Sequence, residues 1–188
     1  YYKAGGKPWR LSGVRPGVCY VGLVYKQTDP ESEDPNACCA AQMFLSSGDG
    51  IVFRGAAGPW YTPSNKEYHL EQVPAAQLMS LVVSEYKRMH NNEEPKELFI
   101  HGRSRFNQEE WSGFRAAVPS TTNLVGVQIR DGKSELKLFT SGNFPVIRGT
   151  ALKLSERSAY LWTSGYVPRL NTYMGPETPN PIFIQVQK

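Results

Sequence analysis

The chain is short of cysteine, has no long apolar run and carries only a small excess of charge. Each shortage removes a class of protein. Its three cysteines, Cys19, Cys38 and Cys39, form an odd set with one vicinal pair. That is a poor disulfide framework, because neighbouring cysteines bridge only with strain. Histidine is scarce too, and His69, His90 and His101 lack the spacing of zinc ligands. The expectation is three buried, reduced thiols in a cytoplasmic protein with no structural metal. No apolar stretch approaches the roughly 18–20 residues of a membrane span. Tyr1 to Arg10 is basic and aromatic with no apolar stretch behind it, unlike a signal peptide, so no membrane partner is expected.

What is present suits a folded core. Of 188 residues, 40% are hydrophobic, with ten Tyr, eight Phe and four Trp, a composition that excludes the disordered class. The length accommodates one substantial domain. A formal charge of +4 permits a polyanionic partner if the cations gather on one face, without demanding one. The first residue is not Met, which suggests a piece of a longer protein.

Periodicity and breakers predict the elements. Val18 to Lys26 reads as a buried strand, Gln27 to Asn36 as an acidic loop, and Ala37 to Leu45 as a second strand. A turn at Gly48–Asp49–Gly50 leads into a third strand at Ile51 to Arg54, making an antiparallel meander. Gly55 to Tyr68 reads as loop, with Trp60 and Tyr61 anchoring it to the core. A helix is expected from about Pro74 to His90, with Ala75, Met79, Val82, Tyr86 and Met89 in one stripe. After a strand at Leu98 to Ile100, Asn107 and Glu110 form a capping box for a second helix through Val118. Leu124 to Arg130 is expected to pair with Glu135 to Thr140 across a turn at Asp131–Gly132. Further strands are expected at Val146–Lys153, Ala159–Trp162 and Ile182–Gln187. The order predicts a mixed α/β fold, with helices flanking a central sheet whose first three strands are antiparallel.

Several blocks then become specific. GGKPWRL (Gly5 to Leu11) and RPGVCYVGLVYK (Arg15 to Lys26) resemble the opening of the PIWI domain of prokaryotic Argonautes. The block Ala37 to Trp60 resembles that family's second and third strands, and Glu97 to Phe114 its fourth strand and following helix. PVIRGTAL (Pro145 to Leu152) and the block Tyr160 to Pro181 are similar to its distal half. The resemblance spans nearly the whole chain and implies a ribonuclease H-like fold. It implies a PIWI core over 1–188 without the upstream MID domain and the family's C-terminal helix and strand.

Two departures from the family's pattern matter most. Slicing members cut through carboxylates that hold two divalent cations, and hard cations need anionic oxygen. The family's first Asp falls where Val24 stands in Gly22–Leu23–Val24–Tyr25. The next falls in the segment His101–Gly102–Arg103–Ser104, which holds no acid. The resemblance is therefore to the catalytically inactive, long-B-like type. Asp29, Glu31, Glu33, Asp34, Asp49 and Asp131 read as loop or turn acids, and Glu109 and Glu110 as residues of a helix's first turn.

The resemblance implies guide-directed binding of nucleic acid, with a small RNA guide and a DNA target, in prokaryotic defence. A duplex of that kind is held by shape through phosphates and hydroxyls. The residues expected to hold it are Arg148 and Arg169 first, with Gly149 and Thr150 letting the backbone approach a phosphate, then Arg103, Arg105, Lys26 and Arg54. No cofactor is expected in this chain, and Mg²⁺ at the guide's 5′ end belongs to the intact protein. The MID domain of the parent and a separate effector protein are the other implied partners. An active ribonuclease H-like nuclease and a non-catalytic scaffold are the competing readings. A strand-borne carboxylate pair would mark the first, and basic residues scattered over the surface the second.

Overall fold

The computed structural model describes residues 15–28, 36–44, 50–131, 136–173, 175 and 178–187. They divide into two compact units, the second beginning at Val127.

In the first unit the strands β1 (Val18–Gln27), β2 (Ala37–Phe44) and β3 (Gly50–Gly58) precede a two-residue hairpin, β4 (Tyr61–Thr62) and β5 (Glu67–Tyr68). Helix α1 (Gln72–Met89), strand β6 (Glu97–Gly102), helix α2 (Gln108–Ala117) and the start of β7 (Asn123–Asp131) follow. The strands run in the order β3-β2-β1-β6-β7. The first three are antiparallel and β6 lies parallel to β1, so the sheet is mixed as expected.

Alternation along β1 explains the core. Cys19, Val21 and Leu23 point inward with Ala37, Cys39, Ala41 and Met43 of β2. They pack in one cluster with Ala75, Leu78, Met79, Val82, Val83 and Tyr86 of α1. Each Val, Leu and Met side chain among them contributes about 1.5–3 kcal/mol by leaving water. The helix starts two residues before Pro74, which sits in its first turn. It ends where Asn91 (φ 51°) and Asn92 (φ 67°) turn left-handed, a conformation asparagine tolerates. Helix α2 carries the expected capping box, with Asn107 and Glu110 bonded reciprocally. Gly113 lets α2 approach α1: a Cβ there would lie 2.3 Å from the Gln72 carbonyl oxygen.

In the second unit β7 continues and pairs antiparallel with β10 (Ile182–Val186). Strand β10 pairs with β9 (Ser158–Leu161), which pairs in turn with β8 (Ala151–Ser155). Trp162 anchors this unit, buried and donating its indole N–H to the Pro179 carbonyl at 3.1 Å.

Four expectations need correction. Residues 136–140 form no strand, and the partner of β7 is β10, so the hairpin expected from Leu124 to Thr140 does not exist. Local alternation marks residues able to pair, whereas the ladder goes to the strand that covers more apolar surface. Here Ile184 and Val186 stand opposite Ile129 and Val127. Cys38 is exposed, because alternation along β2 puts it on the face opposite buried Cys39. Strand β3 reaches Gly58, and β4 with β5 lies inside the segment read as loop. Finally, β8 begins at Ala151, since Val146 to Thr150 is committed to a turn. The loop acids Asp29, Glu31, Glu33, Asp34 and Asp49, like residues 5–11, lie outside the described residues.

Candidate nucleic-acid interface

Register places the first group of named residues on one face. Val24 stands opposite Ala40, and Ala40 opposite Arg54. Lys26 stands opposite Cys38, and Gly22 lies between Gln42 and His101. Val24, Lys26, Arg54 and His101 therefore share the sheet face turned away from α1. Val24 is 55% exposed, an unusual setting for a β-branched aliphatic side chain. None of its register neighbours on this face carries a carboxylate. Burial holds the His101 imidazole below its ordinary pKa, so it is neutral at pH 7.

The turn after β6 is pinned at both ends. A Cβ on Gly102 would meet the Phe106 ring at 2.6 Å, so only glycine fits. Phe106 is buried edge-on against Trp111 and Phe114. Between these anchors the Tyr68 amide donates to the Ser104 hydroxyl at 3.2 Å. Arg103 and Arg105 project to solvent from this fixed turn, and the Arg103 charge is felt by the Tyr68 phenol.

Beneath that turn lies a centre the sequence reading assigned only to helix capping. Glu110 is 1% exposed. Its carboxylate accepts from the Asn107 amide at 2.9 Å and the Leu70 amide at 3.2 Å, and lies 2.9 Å from His69 Nδ1. The Tyr25 hydroxyl approaches at 3.5 Å, and burial drives its pKa upward. The hydrogen bond to Glu110 raises the His69 pKa against the opposing effect of burial. A capping glutamate and a histidine just before a helix are common in isolation. Only tertiary contact joins these two, across 41 positions. Cys19 and Cys39 are buried thiols, each pushed up to about 12 by desolvation, and so unreactive at neutral pH.

In the second unit the Arg148 amide donates to the Tyr166 carbonyl at 3.0 Å, and the Gly149 amide to the Trp162 carbonyl at 2.8 Å. The Thr150 amide and hydroxyl both turn back to the Ile147 carbonyl. Gly149 takes φ +92° with open space around it. With all three amides engaged, what this turn offers an outside phosphate is the exposed Arg148 side chain. Arg169 projects from a single 3-10 turn, Pro168–Leu170, three residues after Tyr166. The two arginines therefore flank one short segment.

Charge pairing does not single out these cations, since among the described residues Lys66, Lys96, Arg115, Arg130, Lys137 and Arg157 also lack a carboxylate partner. Arg15, Lys87, Arg88 and Lys153 are each neutralised by a carboxylate. Among the described residues no carboxylate pairs with Lys26, Arg54, Arg105, Arg148 or Arg169. Nor do the described residues bring together three side chains able to hold a metal ion.

No family model and no curated protein matches the chain. Solved structures do. Argonaute of Clostridium butyricum, bound to a guide DNA and a 19-mer target DNA, superposes with TM-score 0.65 at 15% identity over 90% of this chain. Argonaute of Aquifex aeolicus gives 0.64 at 19% identity over 97%. That of Marinitoga piezophila, in complex with a 5′-OH guide RNA, gives 0.59 at 11% over 92%. The chain spans 21%, 24% and 23% of those proteins respectively. It has the ribonuclease H-like fold of that part of prokaryotic Argonautes, consistent with a PIWI-like domain.

Proposed function

We propose that this chain is the PIWI-like part of an Argonaute that holds a small RNA guide paired to a DNA target and leaves the target uncut. The observation that most supports this is the setting of Val24, an exposed aliphatic side chain with Lys26 and Arg54 on its face and no carboxylate in register. Phosphates suit such a face. A pair of divalent cations does not, because their mutual repulsion is tolerated only between several anionic oxygens.

The second position that resemblance assigns to a metal-binding acid falls in the segment His101–Gly102–Arg103–Ser104 at the end of β6, where the exposed side chain is a guanidinium. The residues present do not fit the two-metal group of slicing relatives. A Mg²⁺ at the guide's 5′ end would be held by other parts of the intact protein. Retained, uncut target would recruit or switch on a separate effector in a cytoplasmic defence against foreign DNA.

The test uses the full-length protein loaded with a 5′-phosphorylated RNA guide, complementary labelled DNA, and Mg²⁺ or Mn²⁺. Tight guide-dependent retention of intact target is expected. Guide-dependent cuts at one target position would overturn the reading, and absence of binding would leave a scaffold.

A further inference from the structure

One feature of the second unit is used neither by the core nor by the arginine turn. Residues 138–140 and 142–145, together with Tyr173, Gly175 and Thr178, line an open cleft of about 500 Å³. That falls within the range of roughly 300–1,000 Å³ common for small-molecule sites. At its wall Phe139 is 77% exposed, a large apolar side chain left facing solvent. Phe144, 45% exposed, stacks on Tyr166 with ring centroids 4.1 Å apart and planes within 13°. Thr140, Asn143 and Thr178 add hydrogen-bonding groups, and among the described residues none that lines the cleft carries a carboxylate.

Location narrows the occupant. Tyr166, under Phe144, accepts the Arg148 amide through its carbonyl and holds Asn171 Oδ1 through its hydroxyl at 2.9 Å. Asn171 is the residue that caps the turn bearing Arg169. The aromatic wall and the turns bearing Arg148 and Arg169, which pair with no carboxylate among the described residues, are thus joined through one tyrosine. An apolar peptide would use the rings but gain nothing from the adjacent cations. A strand of nucleic acid uses both, since its phosphates meet arginine and its bases present a π-face with polar edges.

We propose that this cleft receives an unpaired nucleobase of the bound nucleic acid, stacked on Phe139 and met at its edge by Asn143 and Thr178. This inference rests on the reading of the chain as a holder of guide and target. Base stacking of this kind is sequence-tolerant.

The experiment places 2-aminopurine at successive positions, first in the target strand and then in the guide, including unpaired ends and single-base bulges. Each duplex is bound by the full-length protein, and retention and fluorescence are read together. One unpaired position is expected to be quenched several-fold on binding. Phe139→Ala should restore its emission, Phe139→Tyr should keep the quench, and retention should fall less than tenfold. The strand that shows the effect identifies the source of the base. Retention with no Phe139-dependent position overturns the inference and leaves the proposed function standing. Loss of all retention in the unmutated protein overturns both. Because Phe139 is exposed, its truncation leaves the core intact, and an unchanged melting temperature confirms that.

Discussion

Glu110 and His69 meet at 2.9 Å, joining the first turn of α2 to the residues that lead into α1. The carboxylate is buried, yet every contact it makes is to a donor: two amides, an imidazole and the Tyr25 hydroxyl. Burial of an acid is tolerated on that condition. The pair thereby fixes the region that carries the Arg103–Arg105 turn.

Glu110→Ala is expected to destabilise the protein by about 3–5 kcal/mol, as when one partner of a buried ionic contact is removed. It strands the Leu70 and Asn107 amides together with His69. Urea unfolding monitored by tryptophan fluorescence measures the loss. An effect below 1 kcal/mol, within the range of a lost helix cap alone, would reduce Glu110 to capping.

Two histidines should shape the pH dependence with opposite signs. His69 has its folded pKa raised above 6.5, chiefly by Glu110. Its stabilising contribution is complete below the unfolded value and is lost as pH rises through the folded one. His101 has its folded pKa lowered below 6.5 by burial. Its neutral form is favoured in the fold, so stability is lost as pH falls from 6.5 through the folded value. His69→Gln should flatten the stability curve on the alkaline side of 6.5, and His101→Gln on the acid side. Melting temperatures recorded from pH 5 to pH 8 separate the two.

Gly113→Ala should loosen the helix pair. The added methyl would lie 2.3 Å from the Gln72 carbonyl oxygen and 2.8 Å from the Ala75 Cβ, both on α1. Overpacking of this kind costs about 1–3 kcal/mol. Alanine is also the better helix former, so a stabilised variant would show that the helices part without penalty.

Arg148→Ala and Arg169→Ala should leave folding unchanged, since both side chains are exposed. If each meets one phosphate, each variant weakens guide–target retention. Each also lowers the slope of log affinity against log salt by about one. Equal slopes in variant and parent would remove that residue from the interface.

The order of elements was legible because it rests on local rules. The stripe from Ala75 to Met89, the Asn107–Glu110 box and the alternation in β1 need only a period and a cap, and the structure places them nearly as expected. Trp60 is the buried anchor its setting suggested, with its indole N–H on the Ala56 carbonyl. The setting of Val24 was half legible. Its identity is in the sequence, but its exposure beside Lys26 and Arg54 follows from the pairing of β1 with β2 and of β2 with β3.

What only the tertiary structure decided are the partners chosen over long separations. Strand β7 takes β10 rather than the segment that follows it, because the ladder maximises buried apolar surface and not proximity in sequence. The same choice leaves Leu138 and Phe139 outside the sheet. Glu110 gained His69, and Tyr166 came to connect Phe144 with the Arg148 turn, for the same reason. Composition and period specify which residues can be buried or paired. Which of them meet is settled only when the whole chain has packed.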